Sequence, residues 1–157
     1  MNLAKNDIQG EISYAIGNMT SLMNLDLSVN SKLVGRIPAS FRNLYNWRIM
    51  SLQFVNLSQE LNQMFENLLG YGSNSLESLI LGNYQIFGNW VTKDLGRFKS
   101  LTSLNLQSNA ISGPIPMSVG ELKSLTTLVA SQNSFSSPIP TSLIELKTLR
   151  YLDLSYN

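Results

Sequence analysis

The sequence predicts an α/β solenoid. Short repeated units each give one strand to a parallel sheet on a concave face and return through short 3-10 or α-helical segments on the convex face. Three observations predict it. A frame of leucines closed by an asparagine recurs every 24 to 29 residues. Apolar and polar residues alternate through the second half of that frame, and glycine and proline recur at a fixed offset behind the asparagine.

Residues 101–116 show the frame best, as L-T-S-L-N-L-Q-S-N-A-I-S-G-P-I-P. Residues 125–140 repeat it as L-T-T-L-V-A-S-Q-N-S-F-S-S-P-I-P, and residues 149–157 as L-R-Y-L-D-L-S-Y-N. Units open at Leu22, Trp47, Leu76, Leu101, Leu125 and Leu149, and residues 1–21 hold a partial earlier unit. About seven repeats therefore fill a single domain, 1–157, with no linker between them. The unit opening at Leu22 carries one extra residue between Asn30 and Leu33.

Each part of the unit has a physical role. L-x-x-L-x-L is the pattern of a half-buried strand. The asparagine three positions later ends that strand. Its amide both donates and accepts, so it can serve turn backbone groups that burial would leave unpaired. The G-x-I-P that follows is expected to turn the chain and insert one more apolar side chain, since glycine allows a tight bend and proline fixes φ. The return, as in residues 118–123, runs along the outer face with Val119 and Leu122 directed inward. One unit cannot bury its apolar face alone. Stacked units can, with strands about 4.8 Å apart.

The full frame, L-x-x-L-x-L-x-x-N-x-L-x-G-x-I-P, resembles the plant-specific class of leucine-rich repeats, most closely in residues 22–44 and 101–122. The wording of residues 75–81 and 99–106 is similar to that of plant receptor-like proteins and receptor-like kinases. The resemblance implies a curved leucine-rich-repeat solenoid at the cell surface, often N-glycosylated, acting in defence or developmental signalling. Its concave face would recognise a peptide or protein ligand, with a co-receptor as a further partner. A related secreted family inhibits polygalacturonases and supplies the alternative; the long unit at 47–75 and the missing cysteines count against it. An ice-binding ladder is a third reading, which the mixed side-chain sizes of the columns disfavour. Members of the receptor family usually carry a signal peptide, cysteine-paired caps and often a membrane helix. The sequence has none of these, so it reads as an uncapped internal slice. Leu149, Leu152 and Leu154 are expected to meet water at its end and to favour self-association.

Composition narrows the chemistry. Charged residues make up 13% and the net charge is +1, which leaves no electrostatic footprint for nucleic acid or an anionic membrane. With no cysteine and no histidine, the thiolate and imidazole metal ligands and the usual general base are missing. No metal and no cofactor are expected. No apolar run reaches the roughly 18 residues of a membrane span, so no membrane segment is expected in this chain. Asp26 and Asp153 lie five units apart, over about 20 Å at strand spacing, too far for paired-carboxylate catalysis. Ser28 and Ser155 have no histidine to activate them. The G-x-I-P glycines lack the lysine and the long helix of a phosphate loop. The chain reads as a recognition surface and not as an enzyme.

Candidate contacts are the variable strand positions expected to face solvent. Arg48 and Arg150 fall in the first column, Tyr151 in the second, and Asp26, Asn105 and Asp153 in the middle one. Gln107 falls in the fourth, with Ser28, Gln53, Gly82, Ser131 and Ser155, and Phe54 and Tyr156 in the fifth. Aromatics and arginine are the usual anchors of interfaces. The sequons Asn18-Met19-Thr20 and Asn56-Leu57-Ser58 are candidate glycosylation sites outside the concave strands.

The unit opening at Trp47 is irregular. Val55 stands where the asparagine is expected, as does Tyr84 in the next unit, and Asn62 and Val91 stand where proline is expected. Leu61, Met64, Phe65, Leu68 and Leu69 fall at helical spacing, with Gly70 placed to cap the end. The spacing predicts a convex-side α-helix of two to three turns that packs on the core.

Overall fold

The computed structural model describes residues 1–83, 85–92 and 94–157. Tyr84, the second departure from the asparagine column, lies outside the described residues. In chain order the strands are β1 (Gly10–Glu11), β2 (Asn24–Asp26), β3 (Asn30–Gly35), β4 (Ile49–Ser51), β5 (Val55–Glu60) and β6 (Ser78–Ile80). They continue as β7 (Gln85–Asn89), β8 (Ser103–Asn105), β9 (Ala110–Gly113), β10 (Thr127–Val129), β11 (Ser134–Phe135) and β12 (Tyr151–Asp153). Even-numbered strands form one six-stranded parallel sheet in sequential order, the concave sheet; odd-numbered strands form a second one.

The concave sheet keeps one register from unit to unit. Leu25, Met50, Leu79, Leu104, Leu128 and Leu152 pair in a continuous row. The first five are fully buried, while Leu152, on the edge strand, is 40% exposed. Leu149 and Leu154 are partly buried against the core.

The second sheet replaces the plain turn expected after the asparagine. Leu33, Leu57, Ile86 and Ile111 are buried in it and alternate with exposed neighbours, which is strand periodicity packed against the same core. The glycine position of the frame lies within this strand or at its end. Gly10, Gly35, Gly88 and Gly113 all take φ between 75° and 98°, a conformation open to glycine at no steric cost. The extra residue after Asn30 is absorbed as a register shift between Asn30 and Val34, a bulge in β3.

The return segments are 3-10 helices at Tyr14–Asn18, Ala39–Asn43, Leu95–Arg97, Met117–Glu121 and Thr141–Glu145. Pro38, Pro116 and Pro140 each sit immediately before one, where a missing amide is harmless. The long unit instead forms α1 (Leu61–Leu68), which buries Leu61, Met64, Phe65 and Leu68. Phe65 stacks on Trp90 with ring centroids 6.1 Å apart and meets Phe98 edge-on at 6.0 Å. The helix thus packs on the core as its apolar stripe predicts. Gly70 plays a different part from the expected one. The cap residue is Leu69, and Gly70 is needed for space, because a Cβ there would lie 2.1 Å from the Arg42 carbonyl oxygen. Gly72 is tighter still, at 1.8 Å from the Leu44 carbonyl oxygen.

Candidate functional site

The concave surface rests on a ladder of asparagines. Asn109 Nδ2 donates to the carbonyls of Leu106 and Gln107 in its own unit and of Leu81 in the unit before. Its Oδ1 accepts the amide of Ile86. Asn30, Asn133 and Asn157 repeat this pattern, each joining its own turn to the preceding unit. At Val55 the column is apolar and fully buried, and three other side chains take over backbone groups nearby. Gln59 Oε1 accepts the Ile37 amide at 2.8 Å, and Asn67 Nδ2 donates to the Ile37 carbonyl at 2.8 Å. Asn62, in the proline position, donates to the Asn89 carbonyl and accepts from the Val91 amide and the Thr92 hydroxyl.

Several candidate contacts are drawn into this scaffold. Asp26 Oδ1 accepts the Ser28 amide, Asn105 Oδ1 the Gln107 amide, and Asp153 Oδ1 the Ser155 amide, each at 2.9–3.0 Å. All three are half-buried caps of the turn that closes their strand. Asp153 also accepts the Ser155 hydroxyl at 2.7 Å. The Ser155 hydroxyl first, then its amide and the Ser131 hydroxyl, hold the Asp153 carboxyl below its ordinary value. Most of the fourth column does not face solvent as expected, Ser155 alone being exposed. Ser28, Gly82 and Ser131 are buried, and the Ser28 hydroxyl bonds that of Ser51 at 2.6 Å, because neighbouring turns close over this row. Gln107 is half-buried in the same column.

Phe54 and Tyr156 are exposed but turned aside. The residue before each ladder position has a left-handed backbone: Lys5, Val29, Phe54, Asn83, Ser108, Gln132 and Tyr156 have φ between 54° and 67°. That twist swings Phe54 off the concave sheet to the lateral edge. There it lines an open cleft of about 510 Å³ with Ser31, Asn56 and Gln85 of the second sheet. Asn56 is therefore an exposed residue of β5, paired with Val34, and Asn18 is the exposed last residue of a 3-10 helix.

Four features remain on the concave face proper. Arg48, exposed next to β4, pairs with Glu77 of the following unit at 3.4 Å and borders a small cavity of about 210 Å³ with Ser21, Met23 and Ser75. Met23 and Ile49, of the first and second columns, are exposed apolar residues beside Arg48 that are not among the candidate contacts. Hydroxyls of Thr102 and Thr126 each bond the carbonyl one unit earlier, lining the middle of the face. Arg150 and Tyr151 stand exposed at the opposite edge on or beside β12. The candidates are thus spread over the whole sheet and do not converge on one point.

With this geometry in place, the similarities are consistent with one another. A family model described as "Leucine rich repeat" matches residues 99–157. Receptor-like protein EIX2 of Solanum lycopersicum is 32% identical over 113 residues, covering 72% of this chain and 11% of that protein. The plant peptide hormone receptor RGFR1, solved in complex with RGF2, superposes with a TM-score of 0.88 at 33% identity, over 99% of this chain and 24% of that one. The chain is built of leucine-rich repeats and is similar along its length to plant receptor ectodomains. The Arabidopsis receptor kinase HAESA, in complex with the peptide hormone IDA and the co-receptor SERK1, matches this leucine-rich-repeat protein with a TM-score of 0.88 at 34% identity, over 100% of the chain and 25% of HAESA. The chain spans about a quarter or less of the length of these proteins. Among its described residues no helix is long and apolar enough to cross a membrane.

Proposed function

We propose that the concave face recognises an extended peptide, or an extended segment of a protein, as part of a plant receptor ectodomain. The supporting observation is the spread of accessible side chains across six parallel strands. Five strand intervals of about 4.8 Å make a ribbon of about 24 Å. A peptide extended at about 3.3 Å per residue would cover it with about seven residues. The ribbon offers Met23, Ile49 and the Arg48–Glu77 pair at one end, hydroxyls in the middle, and Arg150 and Tyr151 at the other. Such a surface binds through hydrogen bonds and a few anchors. Peptide hormones bound to RGFR1 and HAESA support the reading, and SERK1 in the HAESA complex supports a co-receptor. The function is binding and not catalysis, in defence or developmental signalling at the cell surface, with Asn18 and Asn56 as glycan acceptors.

Panning a linear peptide library against the chain tests the reading. Arginine introduced at mid-ribbon, Ser103→Arg or Thr127→Arg, is expected to weaken an enriched peptide about tenfold or more through steric block. Ser134→Arg on the second sheet should leave it unchanged. If the concave variants bind as the parent chain does, the reading fails. When the chain is secreted from a eukaryotic host, Asn18→Gln and Asn56→Gln should each remove one glycan mass; a single unmodified species would refute both sites.

A further inference from the structure

The convex side of the long unit carries a cationic, aromatic-edged pocket separate from the concave ribbon. It encloses about 420 Å³, within the size range of small-ligand clefts. Arg42 comes from the unit before, Arg97 from the unit after, and Leu69, Gly70, Tyr71 and Asn74 from the long unit between them. Two of the chain's five arginines thus border one cavity. Both are exposed, neither pairs with a carboxylate among the described residues, and no acidic side chain lines the pocket. Tyr71 is 70% exposed and stacks on Tyr45, with centroids 4.9 Å apart and planes 22° from parallel.

The backbone narrows the ligand class. A tetrahedral anion is usually cradled by free amides of successive residues. Here the amides of Gly70, Tyr71, Ser73 and Ser75 already donate to the carbonyls of Leu68, Arg42, Gly70 and Gly72. The remaining cationic donors are planar guanidinium forks, whose geometry matches a carboxylate as well as a phosphate. Beside them lie a flat aromatic face that can cover the C–H face of a ring and an Asn74 amide that can both donate to and accept from hydroxyls. We propose that this pocket binds a carboxylated sugar, a uronic-acid unit of an acidic oligosaccharide, with its carboxylate between Arg42 and Arg97 and its ring against Tyr71.

Calorimetric titration of the chain with a galacturonic-acid trimer tests this. The acidic trimer should bind, while a neutral galactose trimer and inorganic sulfate should not. Arg42→Gln and Arg97→Gln should each weaken binding about tenfold or more, the loss of one charge-assisted bond. Tyr71→Ala should weaken it as well, and Arg36→Gln, at an exposed arginine elsewhere, should have no effect. All of these side chains are exposed, so unchanged melting curves will establish that the variants fold. No binding of the acidic trimer, equal binding of the neutral one, or indifference to both arginine variants overturns the proposal. Ser103→Arg should leave sugar binding intact, so this site and the peptide ribbon stand or fall separately.

Discussion

In the unit that opens at Leu101, one side chain, Asn109, ties three carbonyls and one amide of two units together. In the unit that opens at Trp47, related tasks are divided among Gln59, Asn62 and Asn67, and an α-helix replaces the 3-10 return. The regular unit satisfies its buried turn with a compact, cooperative knot. The long unit spreads that satisfaction over separate pairwise bonds and draws its cohesion from aromatic packing. The difference shows that a solenoid requires satisfied backbone at each turn, without requiring one residue type to supply it.

The largest expected effect tests the packing side. Phe65→Ala removes a fully buried ring in contact with Trp90 and Phe98, and should cost about 3–5 kcal/mol in urea unfolding. A loss below about 1 kcal/mol would show that the helix is peripheral to the core. Next, Asn109→Ala leaves several buried groups unpaired and should cost about 3 kcal/mol, against about 1–2 for Asn67→Ala, which serves one carbonyl. Equal losses would erase the distinction between knot and pairwise bonds. A smaller change sharpens the regular side. Ser137 stands at the glycine position of its unit with φ 141°, so Ser137→Gly should raise the melting temperature by the equivalent of about 1 kcal/mol. The smallest effect is at Asp153. Its carboxyl is held low in the folded chain, so ionised Asp153 favours folding above the ordinary carboxylate range. That contribution fades as pH falls through the lowered value. Asp153→Asn should therefore flatten the acid side of the stability profile; a parallel offset at all pH values would count against the Ser155 bond as its cause.

Much of this was legible in the residues. The leucine spacing marks the concave strands, the column Asn30, Asn109, Asn133 and Asn157 marks the ladder, and the stripe from Leu61 to Leu68 marks the helix. Candidate contacts were less legible. Asp26, Asn105 and Asp153 look like solvent-facing polar residues, and only the fold shows them capping their own turns. Val55 marks a missing amide without saying that Gln59 and Asn67 would serve Ile37, 22 and 30 residues away in the chain.

The leucine spacing alone settled the period and the inward face, because strand and ladder patterns are local and repeat. Tertiary structure decided the rest. The left-handed turn carried Phe54 from the concave sheet to the lateral edge, and stacking closed over Ser28 and Ser131. It also brought Arg42 and Arg97, 55 positions apart, to one pocket on the far side. The physical reason is that a solenoid's local pattern specifies which way a side chain leaves its own unit. What that side chain meets is set by the units stacked against it.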